Sequence, residues 1–438
     1  MEILYTSLEN AVPISSRRRS GKPSHRTAAL VRATTCLLLP ITATAQTVAT
    51  GDTRTVAQPA YPAVCVTVPA RFKSTSRATP PSSDDTARLQ SFIDQCANTG
   101  KSVVLTASGA NDAFYSGQLQ LVGVGLVIQS GVTLYGANSY SSADDLLHFT
   151  GKNASLMGPG VVDGRQDLIS GTPRLVQARH ITNFTVYNVT LKDAAKMNLY
   201  VEGDSGFTAW GVSIRTPVSV ANTDGIDIDS LTNATVTQSS IQTGDDGVAI
   251  KTNLSAVSNV TVSDNKLYGT HGLSVGSQTM YGVTNVLFKN NTVDGNDLSG
   301  TYSPGNFAVR IKTDPTCGGL VQNVTYLNTC IAHSSHPILL TTHYGTCSGK
   351  AGTPKMKNIF IDGVLATDSY KHATSTFSGY DASTPLDVSL AYVSLDNATQ
   401  SGDQYANLKL HQTNFTPTGT GVTTSSFTAS GSLPTCSF

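Results

Sequence analysis

An all-β solenoid, a right-handed parallel β-helix closed at its start by one short helix, is the fold this sequence predicts, on three observations. Charged residues are only 13% of the chain, and Ser, Thr, Asn and Gly abound. That mix suits short strands joined by polar turns, not a helical protein rich in Glu, Lys and Leu. A window of alternating apolar and polar residues returns again and again at the length of one coil. One amphipathic helix stands ahead of the first window. A length of 438 residues would ordinarily suggest two or three domains at about 150 residues each. A solenoid instead carries one continuous core along its axis, so the repeat replaces the domain count.

Taken in order, residues 1–45 read as an export segment. Arg17, Arg18, Arg19, Lys22, Arg26 and Arg32 give a basic start, Cys36 to Ile41 a short apolar run, and Ala43-Thr44-Ala45 the small residues that a signal peptidase needs. Without that segment the chain keeps 23 basic and 27 acidic residues, a net charge of −4. No basic field points to nucleic acid, and no stretch of 18 apolar residues points to a membrane span. The expected place of the protein is therefore outside the cell, with neither nucleic acid nor membrane as partner.

Residues 46–82 read as an N-terminal extension and 83–438 as one solenoid. Within 84–99, Leu89, Phe92, Ile93 and Cys96 follow the i, i+3, i+4, i+7 pattern of a helix. Ser83 or Asp84 can cap it, and Gly100 follows its end. Such a helix would cover the open end of the solenoid, and 101–150 would form the first coils. Beyond the export segment six cysteines remain, an even number that suggests disulfides. Cys65 with Cys96 is a plausible bridge. Cys317, Cys330, Cys347 and Cys436 allow three pairings, and their spacings do not resemble a zinc site. Residues 371–438, rich in Ser and Thr, would finish the last coils.

The repeat begins at Asn153, Asn183, Gly206, Asn233, Asn259, Asn285, Asn323 and Asn358, at intervals of 30, 23, 27, 26, 26, 38 and 35 residues. Three positions on come Leu156, Val186, Ala209, Val236, Val262, Phe288, Tyr326 and Ile361. Alternation inside each window is the period of a strand, and equivalent strands of stacked coils lie about 4.8 Å apart. Many of these Asn begin Asn-x-Ser/Thr sequons, but their place in the repeat favours a ladder of stacked side chains over a set of glycans. Trp210 could offer a platform to a sugar, yet beside Phe207 and Ala209 it reads at least as well as packing.

Three segments share one local frame: Asp224-Gly225-Ile226, Asp246-Gly247-Val248 and His271-Gly272-Leu273. The steps between them, 22 and 25 residues, are coil-length, so Asp224, Asp246 and His271 should share one column. Asp245 adds a third carboxylate. Arg310 and Lys312 fit the following coil, after the excursion 295–306, and alternation turns them the same way. Glycoside hydrolysis needs one protonated carboxyl for the leaving oxygen and one carboxylate to activate water. Crowded carboxylates cannot all ionise cheaply, so at least one pKa should rise. Arg310 and Lys312 can pair with a substrate carboxylate, which suits a uronic acid polymer. Asp-Gly alone is a common turn pair, and stacked acids can hold calcium. The arrival of aspartates, histidine and cations on consecutive coils favours the catalytic reading.

Asn222-Thr223-Asp224, Gly244-Asp245-Asp246, His271-Gly272 and Arg310-Ile311-Lys312 together resemble the four signatures of the polygalacturonases, glycoside hydrolase family 28. The resemblance covers roughly residues 50–370. It is strongest to bacterial endo-acting members, through Thr172-Pro173-Arg174-Leu175, Gly206-Phe207-Thr208-Ala209-Trp210 and Gly276-Ser277. It implies single-displacement, inverting hydrolysis of α-1,4 bonds in polygalacturonate or pectin by a monomer, with no metal and no cofactor. By the same resemblance Asp245 is the general acid, Asp224 and Asp246 hold and deprotonate the water, and His271 supports the acid. Arg310, Lys312 and Tyr344 bind substrate, and Asn222 helps fix the site. This sequence departs from the family at Gly269-Thr270-His271-Gly272, in a shortened segment between Gly160 and Thr172, in the longer excursion 295–306 and around Tyr344. Those segments wall the cleft, so exo action stays open beside endo. A pectate lyase would need calcium and a basic residue as proton acceptor, which the Asp-Asp-His-Arg-Lys set does not suit. A non-catalytic pectin-binding solenoid would leave no new reducing ends.

Overall fold

The computed structural model describes residues 46–345 and 349–438, so the expected export segment and Cys347 lie outside it. The chain winds as a right-handed parallel β-helix with three strand faces. In one central coil Ile226–Asp229 lies on the first face, Thr232–Thr237 on the second and Ser240–Gln242 on the third. The next coil repeats them in parallel register as Val248–Lys251, Val257–Ser263 and Lys266–Tyr268.

Strand alternation sends every second side chain into the bore. On the first face Val201, Ile228, Ile250, Val275, Ile311 and Leu340 stack coil upon coil and are fully buried. Each such side chain contributes about 1.5–3 kcal/mol of burial. Deeper in the bore Phe149 meets Phe184, and Phe184 stacks on Phe207 of the second face, with ring centroids 5.0 and 6.1 Å apart. Trp210 lies on the second face, in register with Tyr187 and Thr237, away from the first-face strands beside the aspartates.

The repeated Asn marks a corner of each coil. Seven of them adopt φ between 50° and 58°, a left-handed conformation that Asn tolerates better than most residues. Their amides bond along the axis, Asn285 to Asn259 at 2.6 Å and Asn358 to Asn323 at 2.7 Å. The eighth corner is Gly206, where a Cβ would come within 2.4 Å of Asn183 Oδ1. The ladder reading of the sequons therefore has direct support at these corners.

The covering helix runs from Thr86–Cys96, shorter at both ends than 84–99. Its N-cap is Asp85, which pairs with Arg88 and caps nothing with its side chain; Asp84 accepts the Thr86 N–H instead. Asn98 and Gly100, both at positive φ, carry the chain out of the helix. Leu89, Ile93 and Cys96 face the core, and Cys96 is bonded to Cys65. Cys330 pairs with Cys436, which fastens the C-terminal tail, and Cys317 is also disulfide-bonded.

The stretch expected to precede the solenoid contains one of its strands, since Val64–Pro69 pairs with 102–106. Residues 46–61 form a strap that crosses the coils in reverse order. Gln46 bonds Asn358 and Ser389, the Ala49 N–H donates to Thr325, and Thr50 donates to Asn285. Asp52 meets Thr261 and Thr235, Thr53 meets Asn233, and Arg54 donates to the Phe207 carbonyl. Gln58 and Tyr61 reach Tyr187. Gly51 lies so close that a Cβ would come within 2.2 Å of Thr261 Oγ1. Each such bond contributes about 1 kcal/mol net. A chain beginning at Tyr61 is therefore expected to keep its far-ultraviolet circular dichroism and to melt about 5 °C lower. An unchanged midpoint would mean that the strap adds nothing to stability.

Candidate active site

The aspartates lie where the third face of one coil passes into the first face of the next. Ile226, Val248 and Leu273 are in register, so Asp224, Asp246 and His271, each two residues earlier, occupy one column. The Gly225 N–H donates to the Asp246 carbonyl at 2.8 Å and the Gly247 N–H to the Gly272 carbonyl at 3.0 Å. The glycine after each column residue follows from this closeness: a Cβ on Gly225 would sit 2.4 Å from the Gly247 carbonyl oxygen.

The side chains of the column separate into two sets. Asp246 turns inward, where Arg310 Nη1 lies 2.9 Å and Lys312 Nζ 2.8 Å from its oxygens and the Ser274 hydroxyl donates at 2.7 Å. Asp224 accepts from Lys251 Nζ at 2.8 Å. Asp245 instead meets His271, with 3.1 Å between Oδ1 and Nδ1, and accepts the Asp246 N–H at 2.9 Å. Side-chain exposure is 23% for Asp245 and 28% for His271, against 7% for Asp224 and 1% for Asp246. The Asp245–His271 pair is thus the part most open to a ligand.

Charge explains how so many carboxylates share this space. Burial alone pushes the Asp245 carboxyl up, but the hydrogen bond and charge of His271, aided by Lys312, hold it well below the ordinary range. Burial likewise opposes ionisation of Asp246, and Lys312, Arg310 and Lys251 outweigh it, so its pKa is lowered. The expectation that crowding raises one pKa among the three expected aspartates is not met, because the cations lower Asp245 and Asp246; the carboxyl that rises lies outside that set. Asp227 is fully buried, and burial together with the charge of Asp224 pushes its carboxyl well up against the pull of Lys251.

Asp245, Asp246 and His271 bring donor atoms within 4.8 Å of one another. Both Asp246 oxygens already face cations, so a metal ion there would meet strong repulsion, and the donor set does not suit one.

Tyr344 lies with its ring 4.9 Å from Lys312 Nζ and 5.2 Å from Arg310 Cζ. Asn222 is exposed at φ 57° and makes no side-chain hydrogen bond among the described residues. The bracing expected of it comes from neighbours. The Thr223 hydroxyl donates to the Val220 carbonyl and accepts from the Gly244 N–H, tying the loop of Asp224 to that of Asp245. Asn198 Nδ2 donates to the Thr223 carbonyl at 3.0 Å.

Lys251, Asp227, Ser274 and Phe307 were absent from the expected set. Phe307 fills the column position after His271, its ring 5.8 Å from the imidazole and 3.9 Å from the Arg310 guanidinium. A signal for Asp227, Lys251 and Ser274 existed in the strand alternation, which points all three outward beside Arg310 and Lys312.

Comparison with known proteins places these residues in context. The family described as glycosyl hydrolases family 28 matches residues 151–416. An endo-polygalacturonase of Pectobacterium carotovorum subsp. carotovorum is 33% identical over 78% of this chain and 90% of its own length. A polygalacturonase of Ralstonia solanacearum is 30% identical over 81% of this chain and 82% of its own. Among solved structures, the polygalacturonase from Erwinia carotovora ssp. carotovora superposes with a TM-score of 0.66 at 28% identity, over 85% of this chain and all of that one. An exopolygalacturonase from Thermotoga maritima reaches 0.65 at 15% identity, over 81% of this chain and 93% of that one, a likeness of fold.

The Asp246 clamp yields a pH test. Its folded pKa is depressed, so its stabilisation is present above the unfolded value of about 3.9 and is lost as pH falls through the folded value. Asp246→Asn should cost about 3–5 kcal/mol at pH 6, with the gap to wild type in thermal midpoint closing as the pH falls below about 3.9. A gap independent of pH would remove the clamp as its source.

Proposed function

We propose, for a chain that belongs to glycosyl hydrolases family 28, that it hydrolyses α-1,4 bonds between galacturonate residues within polygalacturonate or pectin chains, with inversion. The observation that carries this reading is the contrast between the open Asp245–His271 pair and the buried, cation-held Asp224 and Asp246. One acid faces the cleft, and two carboxylates stand beside it, each bound to cationic side chains.

In this reading a galacturonate chain lies along the first face. Lys312 and Arg310 each keep N–H donors beyond the one given to Asp246 and pair with the sugar carboxylate on the leaving side, against the Tyr344 ring. That pairing neutralises the Lys312 charge that helps hold the Asp245 carboxyl down. Substrate therefore favours protonated Asp245, which His271 holds in place from 3.1 Å. Asp245 gives its proton to the glycosidic oxygen as that bond breaks. Water held by Asp224 and Asp246 bonds to the anomeric carbon and loses its proton to them.

Endo action is supported by the relatives named endo-polygalacturonases, at 33% and 32% identity. The outward rows of the first face also continue on both sides of the aspartates, through Tyr200 and Gln177 one way and Leu339 the other. Secretion fits the relatives' polymeric substrate, the disulfides and the absence, among described residues, of a helix long and apolar enough to cross a membrane. The enzyme acts as a monomer in this reading.

Viscosity of polygalacturonate followed against reducing ends, with chelator present, tests it. A steep viscosity fall at low reducing-end release is expected; steady release of mono- or digalacturonate with slow viscosity loss would make it exo-acting. Asp245→Asn should lower kcat about 10³-fold while binding is largely kept. A near wild-type rate would sink the assignment of the acid.

A further inference from the structure

Beneath the open pair lies a floor of charge that the roles above do not use. Asp227 is completely buried, and neither of its oxygens has a well-formed hydrogen bond. The polar group within reach is Lys251 Nζ, 2.8 Å from Asp227 Oδ1 and equally 2.8 Å from Asp224 Oδ2. Lys251 stands one coil later, in register with Asp229, and Asp227 is in register with Ala249. The small Ala249 side chain leaves room for the lysine to lean back across a coil. Ser274, next in that row, lies opposite Arg310, and Arg310 leans back past it to Asp246. Cations from later coils thus hold both inner carboxylates of the column.

We propose that Lys251, seated by Asp227, is a further positioning residue of the hydrolytic site and fixes Asp224 as the carboxylate that takes the proton of the attacking water. This rests on the hydrolytic reading above. In that step one water O–H bond breaks, its proton passes to Asp224, and the water oxygen bonds to the anomeric carbon. The glycosidic C–O bond breaks with its electron pair on the leaving oxygen, which receives the proton of Asp245.

Lys251 is the cation bound to Asp224. Arg310 and Lys312 are bound to Asp246, and His271 is bound to Asp245. Asp229 is occupied by Tyr200, Ser230 and Asn253. Asp224, Asp227 and, at longer range, Asp246 are the charges that act on Lys251, and together they hold its ammonium charged against burial. Asp227 carries the cost of burial and repulsion, while Asp224 keeps its counter-charge.

The test compares Lys251→Met, Lys251→Arg and the double variant Lys251→Met with Asp227→Leu, which leaves no orphan carboxylate at 227 should the single variant fold poorly. Kinetics on polygalacturonate across pH 4–8 are measured beside Asp245→Asn. The Met variant and the double variant should lose about 10²-fold in kcat with KM little changed. The acidic limb of their kcat/KM profile should move up by about one pH unit, and Lys251→Arg should restore most of the rate. Wild-type kcat and pH profile in a folded double variant would overturn the proposal, as would a loss confined to KM. If the wild type releases no reducing ends, the hydrolytic reading itself fails; if the wild type is active and Asp245→Asn alone is inactive, this inference alone falls.

Discussion

Everything in this molecule depends on the register of one coil upon the next. Parallel strands about 4.8 Å apart bring into register residues as far apart in sequence as Ile226 and Val248, or Val283 and Val321. The bore of valine, isoleucine and phenylalanine holds that register, because a slip of one residue would turn each of those side chains to solvent. The same register sets Asp224 beside Asp246 and Asp246 beside His271, and lets side chains of a later coil reach back under them. Core packing and the site are therefore one constraint met on opposite sides of the same strands.

The site also shows how a crowded set of carboxylates becomes affordable. Asp246 is matched by Arg310 and Lys312 and Asp224 by Lys251, while Asp227, its carboxyl pushed up, rests against the same lysine. Buried charges without partners would cost several kcal/mol each. Paired, they form an ionic floor that leaves Asp245 and His271 as the more exposed pair. In this arrangement the cations do more than wait for an anionic sugar: they first hold the carboxylates in place.

How much of this was legible in the sequence follows from the range of each interaction. The column of Asp224, Asp246 and His271 could be read because coil-length spacing and a following glycine are properties of the chain itself. The helix was legible from its periodicity; it starts late because its cap is Asp85, and it ends at Cys96 because Ala97 is already non-helical. Cys330 with Cys436 was not legible, since only the path of the tail brings them together. Nor was the turning of Arg310 and Lys312 toward Asp246, or the bridge made by Lys251. Alternation tells which face a side chain leaves from, but not that a long side chain leans back across a small neighbour such as Ala249 or Ser274. Asn222 and Thr223 stand in one signature, and only the geometry shows that it is Thr223 that reaches the next loop.

The strap gives the protein an order of assembly. Its first described residues bind the coils near 358 and 389, its middle residues those near 285 and 233, and its last those near 187. A chain that emerges amino end first, from a ribosome or through a membrane pore, presents these residues long before their docking sites exist. Coils can stack on one another as they appear, but Gln46 has nowhere to bind until the coils near 358 and 389 have formed. Closure of the strap thus marks completion of the chain. A truncated product would keep this segment unpaired and open to a protease, while the finished molecule conceals it.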